Sequence, residues 1–212
     1  MWGATLLAAV IGIGLGAVSA VRHGMSGRAI DVLAMLGFAI PNFWLGLVLM
    51  EIFAVKARLL PATGYISPGQ SVTGWLQSLL LPVITLSAAG VTGIAKQTRD
   101  SMRDVLALDY IDLLRAGGVP GWRIIAAHAL RNAAIPVLTM IGIFFVGMLS
   151  GTVVVESVFG MPGLGSLAVT ATSQHDLPVI QGIAVLFCIM VVAVNLVIDL
   201  AYGWVNPKAR VS

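Results

Sequence analysis

The residues that could do chemistry are gathered in one polar stretch, residues 96–131, of an otherwise apolar chain. This stretch, KQTRDSMRDVLALDYIDLLRAGGVPGWRIIAAHALR, holds six of the twelve Lys and Arg residues and four of the nine acids. Mixed charges of this kind favour an exposed element that contacts another protein. A solvated connecting loop without a partner fits the spacing equally well, so both interpretations remain open at this point.

Catalytic and metal-binding patterns are absent from the sequence. None of Lys56, Lys96 and Lys208 follows a glycine, so the phosphate-binding pattern GxxxxGK[ST] does not occur, and HExxH does not occur either. The dipeptide His175-Asp176 lies in a predicted outer loop without further ligands. We therefore predict no catalytic residue, no metal site and no bound cofactor in this chain, which is not expected to be an enzyme.

The composition indicates an integral membrane protein. Hydrophobic residues make up 58% of the chain and charged residues only 10%, whereas about a quarter of residues are charged in an ordinary soluble domain. The apolar runs are apolar on every side and long enough for helices, which excludes the alternating pattern of a membrane barrel. We predict one all-α domain, residues 1–212, with a polar loop at 96–132. Five spans are predicted at residues 1–21, 30–53, 75–95, 133–155 and 178–203.

The Lys and Arg residues predict the orientation of these spans. If the polar loop is cytoplasmic, ten of the twelve positive charges lie on that side, including Arg22, Arg28, Lys208 and Arg210, and the C-terminus is cytoplasmic. An odd number of spans then places the N-terminus outside, without the charged region that begins a signal peptide. We expect a preceding helix to be missing from this sequence.

Glycine and proline mark particular positions within the spans. Gly12 and Gly16 give the first span a small-residue face suited to close helix contact, most simply within the chain. Pro41 is expected near the middle of the second span, where it would kink the helix. Asn42 beside it would line a solute path or bond to a neighbouring helix. Glu156 precedes the turn-rich segment MPGLG, which is expected to dip toward a pore and would make Glu156 an outer gate residue.

The polar loop is predicted to form two helices separated by a turn. Apolar side chains recur at helical spacing at Met102, Leu106, Tyr110 and Leu113. We interpret them as one amphipathic helix at the membrane surface, ended by Gly117 and Gly118, either of which could take the left-handed conformation. Pro120 suits the start of a second helix, which runs into the fourth span and bends at Pro136.

At these residues the sequence resembles a known family. The segment DYIDLLRAGGVPGWRIIAAHALRNAAIPVLT is similar to the EAA loop of ABC-importer permeases, in particular the dipeptide, oligopeptide and nickel branch. Further on, VVVESVFGMPGLG, LPVIQG and VNLVIDLAYGWVNPKAR resemble the same branch. The acid and two alanines that name the loop fall at Asp112, Leu113 and Leu114, and Gly117 stands where a lysine is common. The resemblance begins at what would be the second helix of a six-helix family member.

The resemblance implies a permease subunit of the cell inner membrane that imports a solute by alternating access. It implies a second homologous permease, two cytoplasmic ATPases that carry ATP and Mg²⁺, and an external solute-binding protein. By analogy, the residues that contact the ATPase are Tyr110, Asp112, Leu113, Leu114, Arg115, Ala116, Gly117, Gly118, Val119 and Pro120. Candidates for the translocation path or gate are Asn42, Glu156 and Met161. Peptides, nickel and glutathione are all carried by such relatives, and the pairing of permeases, homodimeric or heterodimeric, stays open.

A secondary transporter or channel driven by an ion gradient is the alternative function. That class should show repeated or broken spans and buried charges near the middle of the membrane. The sequence has no internal repeat and no pair of charges at that depth. The importer is therefore the preferred interpretation.

Overall fold

The computed structural model of the protein describes residues 1–22 and 40–205, and these residues form helices joined by short connections and by one longer non-helical segment, residues 57–71. In chain order the helices are α1 (Trp2–Val21), α2 (Asn42–Met50), α3 (Val72–Leu106), α4 (Asp109–Ala116), α5 (Gly121–Arg123), α6 (Arg131–Phe159), α7 (Leu164–Ser173) and α8 (Leu177–Val205). Two π-helical segments extend this set: Glu51–Lys56 continues α2, and Ile124–Leu130 joins α5 to α6.

Four helical runs of the described residues are long and apolar enough to cross a membrane. They are Trp2–Val21, Val72–Leu106, Gly121–Phe159 and Leu177–Trp204. The second predicted span, 30–53, is described only from residue 40 onward, so its full length stays a prediction. Arg28, Lys208 and Arg210, which entered the orientation argument, also lie outside the described residues.

The first span packs along α3 through its small residues. A Cβ at Gly12 would lie 2.8 Å from the Ile94 Cβ, and one at Gly16 would lie 2.5 Å from the Ala95 carbonyl oxygen. Contact positions advance along both helices together, so α1 and α3 run parallel. The small-residue face predicted for α1 is confirmed, and its partner lies within this chain.

The remaining long helices alternate in direction beside α3. Gly90 of α3 meets Phe144 of α6, and Gly93 meets Met140, so these two helices are antiparallel. On the other side of α6, Gly142 lets Ile198 of α8 approach closely. A buried core runs between the helices from Leu81 and Phe159 at one end to Met102 and Ala129 at the other. We call the Met102 end of the bundle the loop end, because it carries α4 and α5.

The structure corrects the expected position of Pro41. This residue precedes the first helical residue of α2 with φ −62° and ψ 134°, so it caps the helix and does not kink it near its middle. Proline suits this place because its missing N–H would have no intrahelical acceptor in the first turn. By contrast, Pro82 and Pro136 do lie inside helices, in α3 and α6.

The structure also divides the amphipathic helix predicted within the loop. Helix α3 continues past residue 95 to Leu106, and the chain turns at Ala107 and Leu108 before α4 begins. Met102 and Leu106 therefore belong to the end of α3, where fully buried Met102 packs against α1 and α6. Tyr110 and Leu113 belong to α4, so the four apolar residues share no single helix.

Candidate functional site

Helix α4 is a short helix held between turns at the loop end of the bundle. Asp109 and Asp112 lie in its first turn and Arg115 in its last. Each charge therefore interacts favourably with the nearby end of the helix dipole. Gly118 ends the element with φ +78°, a left-handed conformation that glycine adopts without a steric penalty. The predicted glycine stop is thereby confirmed, and Gly118 is the glycine that takes this conformation.

The two faces of α4 differ in what they contact. Ile111 is completely buried, whereas Leu113 is 74% exposed. Asp112 and Arg115 form an ion pair of 2.8 Å that is itself exposed, so it stabilises the fold by less than about 1 kcal/mol. One apolar residue thus anchors α4 to the bundle, and the charged pair and Leu113 remain open to solvent.

Tyr110 connects α4 to the base of α6. The Asn132 side-chain amide donates a hydrogen bond of 3.0 Å to the Tyr110 hydroxyl. The Tyr110 ring also lies against His128, with 6.4 Å between the ring centroids. Because His128 and Asn132 are four residues apart on one helical face, they form a two-point contact for Tyr110. Tyr110 thus attaches α4 to the start of a long span.

The sequence analysis assigned no site role to Ile111, His128 or Asn132. Asn132 lies 22 positions from Tyr110, so no local spacing pairs the two residues. The spacing of His128 and Asn132 on one face was the available signal. Without the position of α4, it would have indicated only a polar stripe.

The other predicted coupling residues lie together on one side of the loop end. Leu114 is partly buried, and Ala116 is exposed beside the glycine turn. Gly117 has an ordinary φ of −75° and donates its N–H to the Leu113 carbonyl, while Val119 donates to Leu114. Pro120 precedes α5 in extended conformation. Residues 109–120 thus form one compact knob.

The predicted path or gate residues lie toward the opposite end of the bundle and only two of them meet. The Met161 N–H donates to the Glu156 carbonyl oxygen at 2.9 Å, and Met161 packs against the buried cluster that contains Phe159. Asn42, at the start of α2, lies opposite Gly151 on α6, more than one helical turn from Glu156. The structure therefore separates Asn42 from the pair.

Glu156 holds the start of α7 against the end of α6. Its carboxylate accepts a hydrogen bond of 2.8 Å from the Ser166 N–H, within the first turn of α7, where a negative charge opposes the helix dipole. Gly163 and Gly165 leave the space that this contact needs, since a Cβ at Gly163 would lie 2.1 Å from a Glu156 oxygen. The segment MPGLG thus forms a turn and the start of α7, which the Glu156 carboxylate holds in place.

Asp176, of the dipeptide His175-Asp176 that was predicted to lie in an outer loop, has a structural role. The Asp176 carboxylate accepts the Val179 N–H at 3.2 Å and so caps the first turn of α8. Within residues 1–22 and 40–205, no three His, Cys, Asp or Glu side chains are placed to share a metal ion.

Comparison with known proteins places this geometry in context. A family model described as "Binding-protein-dependent transport system inner membrane component" matches residues 12–211. A probable peptide ABC transporter permease protein of Sinorhizobium fredii is 39% identical over 97% of this chain and 66% of its own length. A probable D,D-dipeptide transport system permease protein of Escherichia coli is 38% identical over 98% of this chain and 67% of its own.

Further relatives agree on the class of protein. The glutathione transport system permease protein of Pectobacterium atrosepticum is 42% identical over 96% of this chain and 64% of its own length. The chain thus spans about two thirds of the length of these curated relatives. Among solved structures, a chain of the MetNI methionine ABC transporter superposes with a TM-score of 0.73 at 16% identity, covering 97% of this chain and 94% of that one. At this identity the likeness concerns the fold alone.

Proposed function

Because this chain belongs to the family of binding-protein-dependent transport system inner membrane components, we propose that it is a transmembrane permease subunit of an ATP-binding-cassette importer. Its long apolar helices form half of a pathway that opens alternately to the two sides of the membrane. Energy from ATP biases this two-state bundle through contacts at the loop end. The chain itself supplies no catalytic group and no cofactor, because ATP and Mg²⁺ bind to partner subunits.

The observation that carries this proposal is the attachment of α4. An exposed knob is useful as a lever only if it is joined rigidly to a spanning helix, and Tyr110 makes that joint with Asn132 and His128. Fully buried Ile111 adds an apolar anchor. A merely solvated loop would need neither contact.

The contact surface for the ATPase is the exposed side of the knob. Leu113 supplies an apolar side chain that is 74% exposed, and Asp112 with Arg115 supplies one charge of each sign. Burial of Leu113 in a partner groove would remove its apolar surface from water, and Arg115 is of a residue type that is enriched among the side chains that dominate interfaces. The full set assigned to this contact is Tyr110, Asp112, Leu113, Leu114, Arg115, Ala116, Gly117, Gly118, Val119 and Pro120.

The proposed assembly has this permease in the inner membrane with its C-terminus in the cytoplasm. Its partners are a second homologous permease, two cytoplasmic ATP-binding subunits and an external solute-binding protein. Relatives are named for peptides, D,D-dipeptides and glutathione, all of which contain an amide-linked chain. We take a short peptide or a peptide-like solute as the transported class.

Charge reversal at α4 tests the coupling. Asp112→Lys or Arg115→Glu should lower solute-stimulated ATP hydrolysis in the reconstituted transporter by on the order of tenfold, if the interface loses about 1–2 kcal/mol. Glu51→Lys is the matched control, because Glu51 is an exposed, ion-paired acid near the opposite end of the bundle. Uptake that needs an ion gradient and no ATP would overturn the proposal in favour of a secondary transporter.

A further inference from the structure

A polar groove lies between α6 and α8 on a side of the bundle that α1, α2 and α3 do not line. Its volume is about 480 Å³. The residues around it are Thr139, Gly142, Ile143, Val146, Asn195, Ile198, Asp199 and Tyr202. None of them belongs to the coupling knob or to the Glu156 region, so the function described above has not yet assigned a role to the groove.

The polar side of α8 faces this groove. Asp199 is the only Asp, Glu, Lys, Arg or His residue between Leu177 and Val205. Asn195 lies one turn before it and Tyr202 one turn after it, so the three share a helical face. Both Asn195 and Asp199 are exposed in the isolated chain. Helix α8 therefore carries its one charge at this groove.

Two hydroxyls, of Thr139 on α6 and Tyr202 on α8, join the walls of the groove. The Thr139 hydroxyl donates to the Ile135 carbonyl at 3.1 Å. The Thr139 and Tyr202 hydroxyls share a further hydrogen bond across the groove. The Asp199 carboxylate, the Asn195 carbonyl oxygen and the Tyr202 oxygen offer acceptors along α8, beside the Asn195 amide nitrogen as a donor, and none of the described residues that line the groove is basic.

The other flank of α8 provides an internal comparison. A second groove of similar size, about 420 Å³, lies there between α8, α6 and Ile13 of α1, and every side chain that lines it is apolar or the indole of Trp204. Such a surface can face lipid. A carboxylate and an amide in a spanning helix are costly in lipid and are found facing protein or a water-filled cavity. The two flanks of one helix are thus adapted to different surroundings.

We propose that the polar groove is a subsite that binds the cationic group, a primary ammonium or a guanidinium, of the solute that the transporter moves. The inference rests on the proposed import function and deepens it by assigning residues of this chain to the solute. Charge complementarity identifies the ligand chemistry, because Asp199, Asn195 and Tyr202 offer acceptors to a cation. The volume of about 480 Å³ falls in the range of small-molecule sites, roughly 300–1,000 Å³. Because the apolar groove is of similar size, the charge of Asp199 is what distinguishes the polar groove.

Cysteine labelling tests this subsite directly. The chain has one cysteine, Cys188, so Cys188→Ser gives a background for Asn195→Cys. The assembled transporter in proteoliposomes is treated with a cationic reagent, trimethylammonioethyl methanethiosulfonate, and with its anionic sulfonatoethyl counterpart. Each rate is divided by the rate of that reagent with free mercaptoethanol. We expect a cation preference on the order of tenfold, since a charged cleft raises the local concentration of the opposite charge.

Two further variants test whether the cation preference in labelling depends on Asp199 and on a position within the groove. Asp199→Asn in the Asn195→Cys background should reduce the preference to about twofold or less, because the groove loses its charge. Val197→Cys, which is 60% exposed and lines neither groove, should react with neither reagent. Dialanine should slow the labelling of the Asn195→Cys variant, whereas N-acetyl-dialanine, which lacks the ammonium group, should not.

Each other outcome contradicts the inference. Labelling of the isolated permease but not of the assembled transporter would mean that the second permease covers the groove. No labelling in either state would mean that lipid covers it. ATP-driven uptake is measured on the same vesicles, so an active transporter without the cation preference removes the subsite and leaves the import function standing, whereas loss of ATP dependence in the unmodified chain removes both.

Discussion

The Tyr110 hydroxyl accepts a hydrogen bond from the Asn132 side chain across a separation of 22 residues, at 3.0 Å. This bond ties the short helix α4 to the first turn of α6. It is supported by the tilted packing of the Tyr110 ring on His128. A partner that pulls on α4 therefore acts on a long helix through two side-chain contacts.

The first prediction concerns this bond. Tyr110→Phe removes the hydroxyl and keeps the ring, so α4 should lose about 1 kcal/mol of attachment. Hydrogen exchange of the α4 amides should become several-fold faster, and solute uptake per ATP hydrolysed should fall. Asn132→Ala should give the same loss, and the double variant should be no worse than either single one. Tyr65→Phe, at an exposed tyrosine, is the control. Additive losses would show that the two residues act independently.

The second prediction separates the two glycines that end α4. Gly118→Ala places a Cβ at φ +78° and should destabilise the knob by about 1 kcal/mol or more. Gly117→Ala should be tolerated, because Gly117 has an ordinary φ and only van der Waals neighbours. Stimulated ATP hydrolysis in the reconstituted transporter measures the difference. Equal losses from both variants would contradict a role for backbone conformation.

The third prediction concerns the contact of α1 with α3. A Cβ at Gly16 would lie 2.5 Å from the Ala95 carbonyl oxygen and 2.6 Å from the Thr98 Cβ, and backbone cannot move aside easily. Gly16→Ala should therefore destabilise the chain by about 1–3 kcal/mol, seen as a lower Tm in detergent. Gly14→Ala on the same helix meets nothing within 4 Å and should be neutral or slightly stabilising. A Gly16→Ala protein as stable as the Gly14→Ala protein would contradict the close approach of α1 to α3 at Gly16.

The fourth prediction distinguishes the two glycines near Glu156. Gly163→Ala would place its Cβ 2.1 Å from the Glu156 carboxylate, whereas Gly165→Ala would also meet the Val153 Cα at 2.7 Å. Both should loosen α7, measured as faster proteolysis of the segment that joins α6 to α7. Glu156→Ala alone should also loosen α7, because it removes the bond to the Ser166 N–H. In this background Gly163→Ala should add no further loosening, whereas Gly165→Ala should, because its clash with the Val153 backbone remains. A further effect of both glycine variants, or of neither, would contradict the observed position of the carboxylate.

Several features of this protein follow from the sequence alone. The lack of charge in the long runs predicts membrane-spanning helices, because a helix satisfies its own backbone hydrogen bonds in lipid. Gly117 and Gly118 followed by Pro120 predict the stop and restart within the polar loop, since these residues restrict or release the backbone locally. The resemblance to importer permeases is confirmed by the family match over residues 12–211. The assignment of individual coupling and path residues stays a prediction.

Other features were decided by tertiary packing. The turn at Ala107 and Leu108 contains neither glycine nor proline, and both residues favour helices. The chain turns there because Met102 and Ile111 are both fully buried while belonging to separate helices. In the same way, Tyr110 meets Asn132, and Thr139 meets Tyr202 at a separation of 63 residues. Periodicity records which side of one helix is apolar, but the neighbour that it meets depends on how all the helices pack together.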